Sequence, residues 1–307
     1  EIASRRYDAI ILIDYPTLNL RLAKQGRRFD CPVFFFISPQ IWAWRKGRIK
    51  GIRESVRKMF VILPFEEKLY LDAGVDAEFL GHPFIDMVHP SRPREESLEK
   101  YSLNVGVKTI GLLPGSRMNE VNSLLDVMIQ AAEKIRSELG SCQFLLPIAD
   151  SIDPDLIRQR LGANPLGIQL IQGETYDVMN SCDMLIIASG SATLEAGILG
   201  CPMVIVYKLN PLTHWLADRL IKIPLVGLVN IVAGEEVVPE LIQHKVTAEN
   251  ISSEALAILR TPEKEQAMRE RLLKIRESLG EPGGMKLVAK RIADFMVELS
   301  ANEKTPV

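Results

Sequence analysis

The chain has 307 residues and a formal net charge of −2 at pH 7, with 47% of its residues hydrophobic and 25% charged. This composition is that of an ordinary globular protein and excludes disordered, collagen-like and coiled-coil chains. The near-neutral charge gives no reason to expect a nucleic-acid partner. The length favours two domains, each with its own core.

The cysteine pattern and the apolar runs exclude two further classes. Without a C-x-x-C pair, the cysteines indicate neither a disulfide framework nor a metal cluster, and we expect reduced thiols in a cytosolic protein. No apolar run reaches the roughly 20 residues of a membrane helix. The chain opens without Met or a signal peptide and soon enters an apolar strand, so we expect it to be the interior of a longer chain. The cysteines are Cys31, Cys142, Cys182 and Cys201.

Short apolar runs alternate with longer amphipathic segments along nearly the whole chain. Continuous apolar strands are typical of a parallel sheet covered by helices on both faces. Strands separated by helices imply right-handed βαβ crossovers, so the sequence predicts an α/β fold. The main predicted strands are residues 8–14, 33–37, 59–63, 109–113, 143–147, 168–171, 184–188 and 203–207.

A stretch rich in proline and charge separates the two series of strands. It starts at His82-Pro83 and is followed by a new strand at Thr109. We therefore expect one α/β domain before it and one after it. The predicted limits are a first domain over 1–88, a linker over 89–107, a second domain over 108–280 and a C-terminal helix over 281–307 that packs back on the first domain.

The strand that ends at Leu113 runs into a candidate phosphate-binding turn. Gly115 allows a tight turn, and Ser116 can cap the helix that follows. The free N–H groups of a helix start attract anions, and Arg117 adds a bidentate donor for phosphate. A capped βα turn with a solvent-facing arginine is the competing interpretation.

A second turn of small residues follows the strand that ends at Ala188. Small residues let a ligand approach the backbone closely. Glu195 is placed to bind the hydroxyls of a ribose, as acidic residues do in dinucleotide sites, although a carboxylate that only stabilises the helix dipole is the alternative. With both turns in one domain, the second half of the chain is predicted to bind a nucleoside diphosphate. The turn and its helix start contain Ser189, Gly190, Ser191, Ala192 and Thr193.

Two residues of the first half are candidates for acid–base chemistry. Asp14 ends the first predicted strand and could act as a general base, but a turn aspartate that caps the next helix has the same sequence context. His82 could be a base or bind phosphate, but a hydrogen-bonding histidine at a hinge is also consistent with its position.

The segment from Trp42 to Lys58 is strongly basic, and tryptophans stand at its start. Basic residues beside tryptophan suit an anionic membrane surface or a phosphorylated lipid. A solvated basic helix and a nucleic-acid site remain alternatives. The residues we single out here are Trp42, Trp44, Arg45 and Arg48.

Several motifs together resemble the lipid-A-disaccharide synthase family. They include Ser38-Pro39-Gln40-Ile41-Trp42-Ala43-Trp44-Arg45, Leu113-Pro114-Gly115-Ser116-Arg117-x-x-Glu120, Ala188-Ser189-Gly190-x-Ala192-Thr193-Leu194-Glu195 and Asn230-Ile231-Val232-Ala233-Gly234. The resemblance implies an inverting glycosyltransferase of GT-B architecture, with two Rossmann-like domains and no metal or cofactor. Such an enzyme joins UDP-2,3-diacylglucosamine to 2,3-diacylglucosamine 1-phosphate, which forms a β-1,6 disaccharide and releases UDP. It also implies a homodimer, peripheral on the cytoplasmic face of the inner membrane of a Gram-negative bacterium.

The resemblance assigns roles to individual residues. Asp14 becomes the catalytic base on the acceptor 6-hydroxyl, Arg117 stabilises the departing UDP, and Glu195 holds the ribose. Asn19 and His82 join the basic segment on the acceptor or membrane side. Further donor-side residues on family motifs are Glu120, Asn230, Glu240 and Gln243.

The chain departs from the family pattern at two places. The Gly-Glu-x-Ser-Gly-Asp motif of the first domain is absent, and Thr17 replaces an aspartate. We therefore expect an N-terminally incomplete first domain and a chain that binds UDP without necessarily catalysing transfer. A UDP-N-acetylglucosamine 2-epimerase, a two-lobed solute-binding protein and a non-catalytic scaffold at a membrane surface are the competing hypotheses.

Overall fold

The computed structural model describes residues 7–42, 46–208 and 225–302. Trp44 and Arg45 therefore lie outside the described residues. The chain forms two compact units. Described residues up to Met87 and from Glu277 onward belong to the first, and described residues between Val88 and Arg276 belong to the second.

The described residues form ten strands and thirteen α-helices, with short 3-10 turns at Lys46–Arg48 and Gln243–Lys245. The strands are β1 (Ile10–Ile13), β2 (Val33–Phe36), β3 (Lys58–Val61), β4 (Ala77–Phe79), β5 (Thr109–Leu113), β6 (Gln143–Ile148), β7 (Gln169–Gln172), β8 (Met184–Ala188), β9 (Met203–Tyr207) and β10 (Glu240–Ile242). The helices are α1 (Pro16–Arg28), α2 (Ile49–Ser55), α3 (Pro64–Asp72), α4 (Phe84–Met87), α5 (Arg94–Lys100), α6 (Met118–Leu139), α7 (Pro154–Leu161), α8 (Thr175–Ser181), α9 (Ser191–Ile198), α10 (Leu228–Ala233), α11 (Ala248–Leu259), α12 (Pro262–Ser278) and α13 (Gly284–Asn302).

The first unit contains a parallel sheet of order β1-β2-β3-β4. Apolar side chains point to both of its faces, as continuous apolar strands require. Phe35 and Met59 pack in a core with residues of α1, α2 and α3. Phe34 and Phe60 pack on the other face with Val288 and other residues of α13. The last helix therefore covers one face of the first sheet.

The second unit contains a parallel sheet of order β10-β9-β8-β5-β6-β7. From β5 the chain builds outward through β6 and β7, and then returns to the other side of β5 to build β8, β9 and β10. The order of connection thus reverses between β5 and β8. In open parallel sheets, ligands bind outside the carboxyl ends of the strands at such a point.

Helix α5 lies within the stretch between the two sheets and is anchored to the second unit. Just before it, the backbone N–H and the hydroxyl of Ser91 both donate to Asp177 of α8 at 2.7 Å. Arg92 pairs with Glu174 at 2.6 Å. The limits of the linker and of the domains that we infer from the sequence stay predictions.

The predicted α/β class with two parallel sheets is confirmed. Strand β10 was not predicted, because its three residues after Pro239 are too few to show a pattern. Among the described residues, no helix is long and apolar enough to cross a membrane.

Candidate active site

The turn between β5 and α6 brings several donors to the carboxyl edge of the second sheet. Gly115 has a φ of +114°, a conformation that side chains rarely adopt. A Cβ at this position would lie 2.7 Å from the Cβ of Glu120, so glycine is required beneath that side chain. Ser116 and Arg117 follow with exposed side chains.

The carboxylate of Glu120 closes over this turn. Its Oε2 accepts hydrogen bonds from the backbone N–H groups of Ser116 at 3.0 Å and Arg117 at 3.3 Å. Its Oε1 pairs with the Arg117 guanidinium at 2.9 Å, although 80% of the Arg117 side chain is exposed. From the sequence, we expect the N–H groups of this turn to bind a phosphate. In the structure they bind the Glu120 carboxylate instead, as in a capping box.

The turn between β8 and α9 is built from small side chains that bond to the backbone. The Ser189 hydroxyl donates to the carbonyl of Val226 at 2.8 Å. Buried Thr193 donates to the carbonyl of Gly190 at 2.8 Å. Gly190 and Ser191 are exposed and Ala192 is half-buried, so the first turn of α9 is open to a ligand on that side.

Glu195 lies half-buried in the first turns of α9. Burial raises the pKa of its carboxyl, while hydrogen bonds from the side chains of Ser191 and Tyr176 act in the opposite direction. Burial and the neighbouring Glu195 raise the pKa of Tyr176 in turn. The contact between the side chains of Tyr176 and Glu195 was not predicted, because the local sequence pattern does not show that the start of α8 approaches α9.

The two turns lie side by side at the switch point of the sheet. Strands β5 and β8 are neighbours, with Leu113 opposite Ile187. The side chains that follow these strands therefore emerge at the same edge. The structure thus brings Arg117 and its turn together with the turn at Ser189, two segments that are about 70 residues apart in the sequence.

Asn230 and Glu240 are bonded within the protein. Asn230 is fully buried and donates to Val238 and to Glu240, both at 2.8 Å. Its oxygen accepts from the N–H groups of Val237 and Val238 at 2.9 and 3.1 Å. The Glu240 carboxylate also accepts from the N–H groups of Val226 and Gly227, both at 2.8 Å. These two predicted donor-side residues hold the segment around α10 in shape.

Gln243 follows β10 at the same carboxyl edge of the second sheet. Its φ of +53° is unusual for a residue with a side chain. Its buried Nε2 has no hydrogen-bond partner among the described residues. The structure therefore places Gln243 at the edge where the predicted donor residues lie, with an unused donor.

In the first unit, Asp14 follows β1 in a left-handed backbone conformation. Its φ is +47°, and that of Tyr15 is +39°. The amide of Asn19 donates to the carbonyls of Ile13 at 2.9 Å and Asp14 at 2.7 Å, which secures the turn. The Asp14 side chain is exposed. Asn19 thus holds the backbone turn that carries Asp14.

Asp14 lines a pocket of about 330 Å³ at the carboxyl edge of the first sheet. The walls come from the segments that follow β1, β2 and β3, together with the start of α3. Two further charged residues line the pocket, Arg48 and Glu66. Glu66 was not predicted as a site residue, since a glutamate in the first turn of a helix usually faces solvent.

Glu66 is a buried carboxyl that connects two walls of this pocket. Only 1% of the residue is exposed. It accepts hydrogen bonds from the indole of Trp42 at 2.9 Å and from the N–H of Leu63 at 3.3 Å. Burial raises its pKa, against the effect of these hydrogen bonds. Trp42, which we predicted on the acceptor or membrane side, also packs edge-on against Phe65 at 5.2 Å and is half-buried.

His82 lies in the interior of the first unit and does not line the pocket. It is 3% exposed, and burial lowers its pKa to about 4. Its Nδ1 accepts from the backbone N–H of Phe84 at 3.0 Å, and the backbone N–H of His82 donates to the carbonyl of Leu279 at 2.8 Å. It is therefore neutral at pH 7 and carries no charge for a phosphate.

Metal-binding residues do not cluster in the part of the chain that the structure describes. It contains no group of three or more His, Cys, Asp or Glu residues that could hold a metal ion. The four cysteines are buried and free.

Comparison with known proteins gives a family. The family model of lipid-A-disaccharide synthetase matches residues 1–286. The chain belongs to the lipid-A-disaccharide synthase family. The lipid-A-disaccharide synthase of Syntrophus aciditrophicus is 46% identical over 92% of this chain and 74% of its own length. That of Geobacter sulfurreducens is 42% identical over 97% of this chain and 77% of its own length. The chain is thus an enzyme of lipid A disaccharide synthesis, a glycosyltransferase.

Solved structures support the fold. The UDP-GlcNAc 2-epimerase of Neisseria meningitidis, bound to UDP-GlcNAc, has a TM-score of 0.59 at 14% identity and covers 94% of this chain and 76% of its own. The spinosyn rhamnosyltransferase SpnG has a TM-score of 0.58 at 12% identity and covers 92% of this chain and 72% of its own. At these identities the likeness establishes the GT-B-like α/β architecture alone.

Proposed function

We propose that the chain uses UDP-2,3-diacylglucosamine as donor and 2,3-diacylglucosamine 1-phosphate as acceptor, forms the β-1,6 bond and releases UDP. The observation that carries this proposal is the pair of turns at the switch point of the second sheet, where parallel α/β sheets bind nucleotides. Two further findings support the proposal. The family is named after the disaccharide that this reaction forms, and one structural neighbour was solved with a bound UDP-sugar.

The donor diphosphate binds at the turn between β5 and α6. Arg117 is the exposed cation there, and its guanidinium can rotate from Glu120 toward a phosphate. The second oxygen of Glu120 keeps its bonds to the backbone and so preserves the turn. Glu195, at the neighbouring turn, accepts hydrogen bonds from ribose hydroxyls, a role supported by its half-buried position at the start of α9.

Asp14 acts as the base in the transfer step. Its carboxylate takes the proton from the acceptor 6-hydroxyl while that oxygen forms a bond to the anomeric carbon of the donor. The bond from that carbon to UDP breaks, and Arg117 stabilises the negative charge that develops on the diphosphate. One base is sufficient for such a displacement, and the Asn19 amide holds the backbone that presents it.

Acylated substrates imply contact with the membrane, and we place the chain on the cytoplasmic face of the inner membrane. Tyr15 and Leu18, on either side of the start of α1, are 66% and 51% exposed. Exposed cations lie on and after α2, at Lys50, Arg53 and Arg57. Apolar and cationic surface together favour an anionic bilayer. The homodimer implied by the resemblance stays a prediction.

A product assay with both substrates tests this function. The chain is incubated in mixed micelles with donor alone, acceptor alone or both, and the lipids are analysed by mass spectrometry. We expect an acylated disaccharide 1-phosphate and an equal amount of UDP only when both are present. Loss of donor without disaccharide, or its conversion to an epimer, would contradict the proposal.

A further inference from the structure

Arg48 is a half-buried arginine in the first unit that forms no ion pair with any described residue. The other cation of this unit that is half-buried among the described residues, Lys58, does have partners. Its side chain is only 12% exposed and pairs with Asp76 at 2.8 Å and Glu78 at 3.1 Å. Withdrawing an unpaired charge from water costs free energy, which an anionic ligand would recover.

One pocket is lined by this cation and by a carboxylate, neither of which has an ion-pair partner among the described residues. Arg48 and Asp14 line the same cavity, yet they do not pair with each other in the described structure. A ligand in this cavity can present an anion to Arg48 and a hydroxyl to Asp14. The third charged wall residue, Glu66, already accepts hydrogen bonds from Trp42 and Leu63, so its oxygens are partly occupied.

The size of the pocket limits what it can hold. A volume of about 330 Å³ is near the lower end of the roughly 300 to 1,000 Å³ typical of small-molecule sites. It suits one sugar with its phosphate and leaves the acyl chains outside. Gln40 adds an amide donor and acceptor to the walls.

We propose that Arg48 binds the phosphate of the sugar-phosphate acceptor, and that this contact makes the pocket select a phosphorylated over an unphosphorylated sugar. The inference rests on the proposed function, which it deepens by naming the residue that recognises the acceptor anion. A guanidinium is suited to this role because its planar N–H groups match two phosphate oxygens at once.

Calorimetric titration with two lipids tests the inference. The probes are 2,3-diacylglucosamine 1-phosphate and the same lipid without its phosphate, at one detergent concentration. The variants are Arg48→Ala, Arg48→Lys and, as matched control, Arg28→Ala, an exposed arginine in the last turn of α1 that does not line the pocket and has no ion pair among the described residues. Circular dichroism establishes that each variant is folded.

We expect the unsubstituted chain to prefer the phosphorylated lipid. Arg48→Ala should weaken binding of that lipid by roughly 10- to 100-fold, the effect of losing a charge-assisted contact, and leave the unphosphorylated lipid unaffected. Arg48→Lys should restore part of the preference, and Arg28→Ala should change neither affinity. A general disturbance of the pocket would instead weaken the binding of both lipids equally.

Three results would each overturn the inference. They are an equal loss of affinity for both lipids in Arg48→Ala, an unchanged preference for the phosphorylated lipid in that variant, and an unsubstituted chain that shows no such preference. UDP is titrated into the same samples, because its proposed site lies in the second unit. If UDP binds and the phosphate preference is absent, only the role of Arg48 fails. If neither UDP nor acceptor binds to folded protein, the proposed function fails with it.

Discussion

The carboxylate of Glu66 accepts a hydrogen bond from the indole N–H of Trp42 at 2.9 Å. This contact joins the segment after β2 to the first turn of α3, and both segments form walls of the pocket that contains Asp14. Because Glu66 is buried, this hydrogen bond holds the two wall segments together. One edge of the Trp42 indole is therefore fixed to a buried side chain.

Replacing Glu66 should change how stability depends on pH. Burial raises the pKa of Glu66 in the folded state, so the folded protein holds this proton more tightly than the unfolded chain does. The stabilisation is fully present below the unfolded pKa, near 4.5, and is lost as the pH rises through the folded pKa. The glutamine side chain of Glu66→Gln does not titrate, so this variant should not lose that stabilisation as the pH rises.

Urea unfolding of both proteins between pH 4 and pH 8 measures the difference. The free energy of unfolding of the unsubstituted chain should fall relative to that of Glu66→Gln as the pH rises. The exposed Glu54→Gln, whose parent residue pairs only with Arg27 at 3.3 Å among the described residues, is the control and should show no such trend. A difference between Glu66→Gln and the unsubstituted chain that is constant with pH would contradict the account of Glu66.

Replacing His82 should have an effect of the opposite sign. Burial lowers the pKa of His82 to about 4 in the folded state, whereas an unfolded histidine has a pKa near 6.5. The stabilisation is present above the unfolded pKa and is lost as the pH falls through about 4. The loss amounts to about 3 kcal/mol over this window.

His82→Asn removes the titration and keeps an acceptor near the N–H of Phe84. Its stability relative to the unsubstituted chain should therefore rise as the pH is lowered from 6.5 to 4, as measured by chemical unfolding at each pH. The exposed His89→Asn should follow the unsubstituted chain. A parallel pH dependence for His82→Asn and the unsubstituted chain would show that His82 is not held neutral by the fold.

Asp14→Asn should abolish transfer and leave the fold intact. Asparagine adopts the left-handed conformation of this position readily, so the φ of +47° is preserved. The amide of asparagine cannot take up the proton of the 6-hydroxyl of the acceptor sugar, so turnover should fall by about 100-fold or more. Asp30→Asn is the matched control, because Asp30 is also an exposed aspartate with a positive φ, of +55°, but precedes β2 at the opposite end of the sheet.

Turnover is followed by UDP release in mixed micelles. The control should retain full activity, and UDP binding should be the same in both variants. An Asp14→Asn enzyme as fast as the control would remove Asp14 from the role of base.

Some parts of this architecture can be predicted from the sequence alone. Runs such as Met184–Ala188 are apolar at every position, which fits a strand buried on both faces of a parallel sheet. The turns at Gly115 and Ser189 are recognisable because small residues and helix starts follow such strands directly. Their side-by-side placement follows from the sheet order, which the local pattern does not specify.

The contacts that shape the pocket depend on the tertiary fold. Nothing in the sequence near Glu66 shows that its carboxylate turns inward to Trp42, since a glutamate in the first turn of a helix commonly remains solvated. In the same way, the bonds of Asn230 to the segment after α10 form only when that segment folds back. The assigned roles of Asp14, Arg117 and Glu195 stay predictions until they are measured.

Calorimetric titration of UDP into the chain tests the central claim most directly. Arg117→Ala is compared with the unsubstituted protein and with Arg260→Ala, an arginine that pairs with Glu138 where α6 ends, at the edge of the second sheet away from the two turns. We predict that UDP binds, that Arg117→Ala weakens binding by about 2 kcal/mol, or roughly 30-fold, and that Arg260→Ala has no effect. Folded protein that does not bind UDP, or binding that is unchanged in Arg117→Ala, would contradict the proposed donor site.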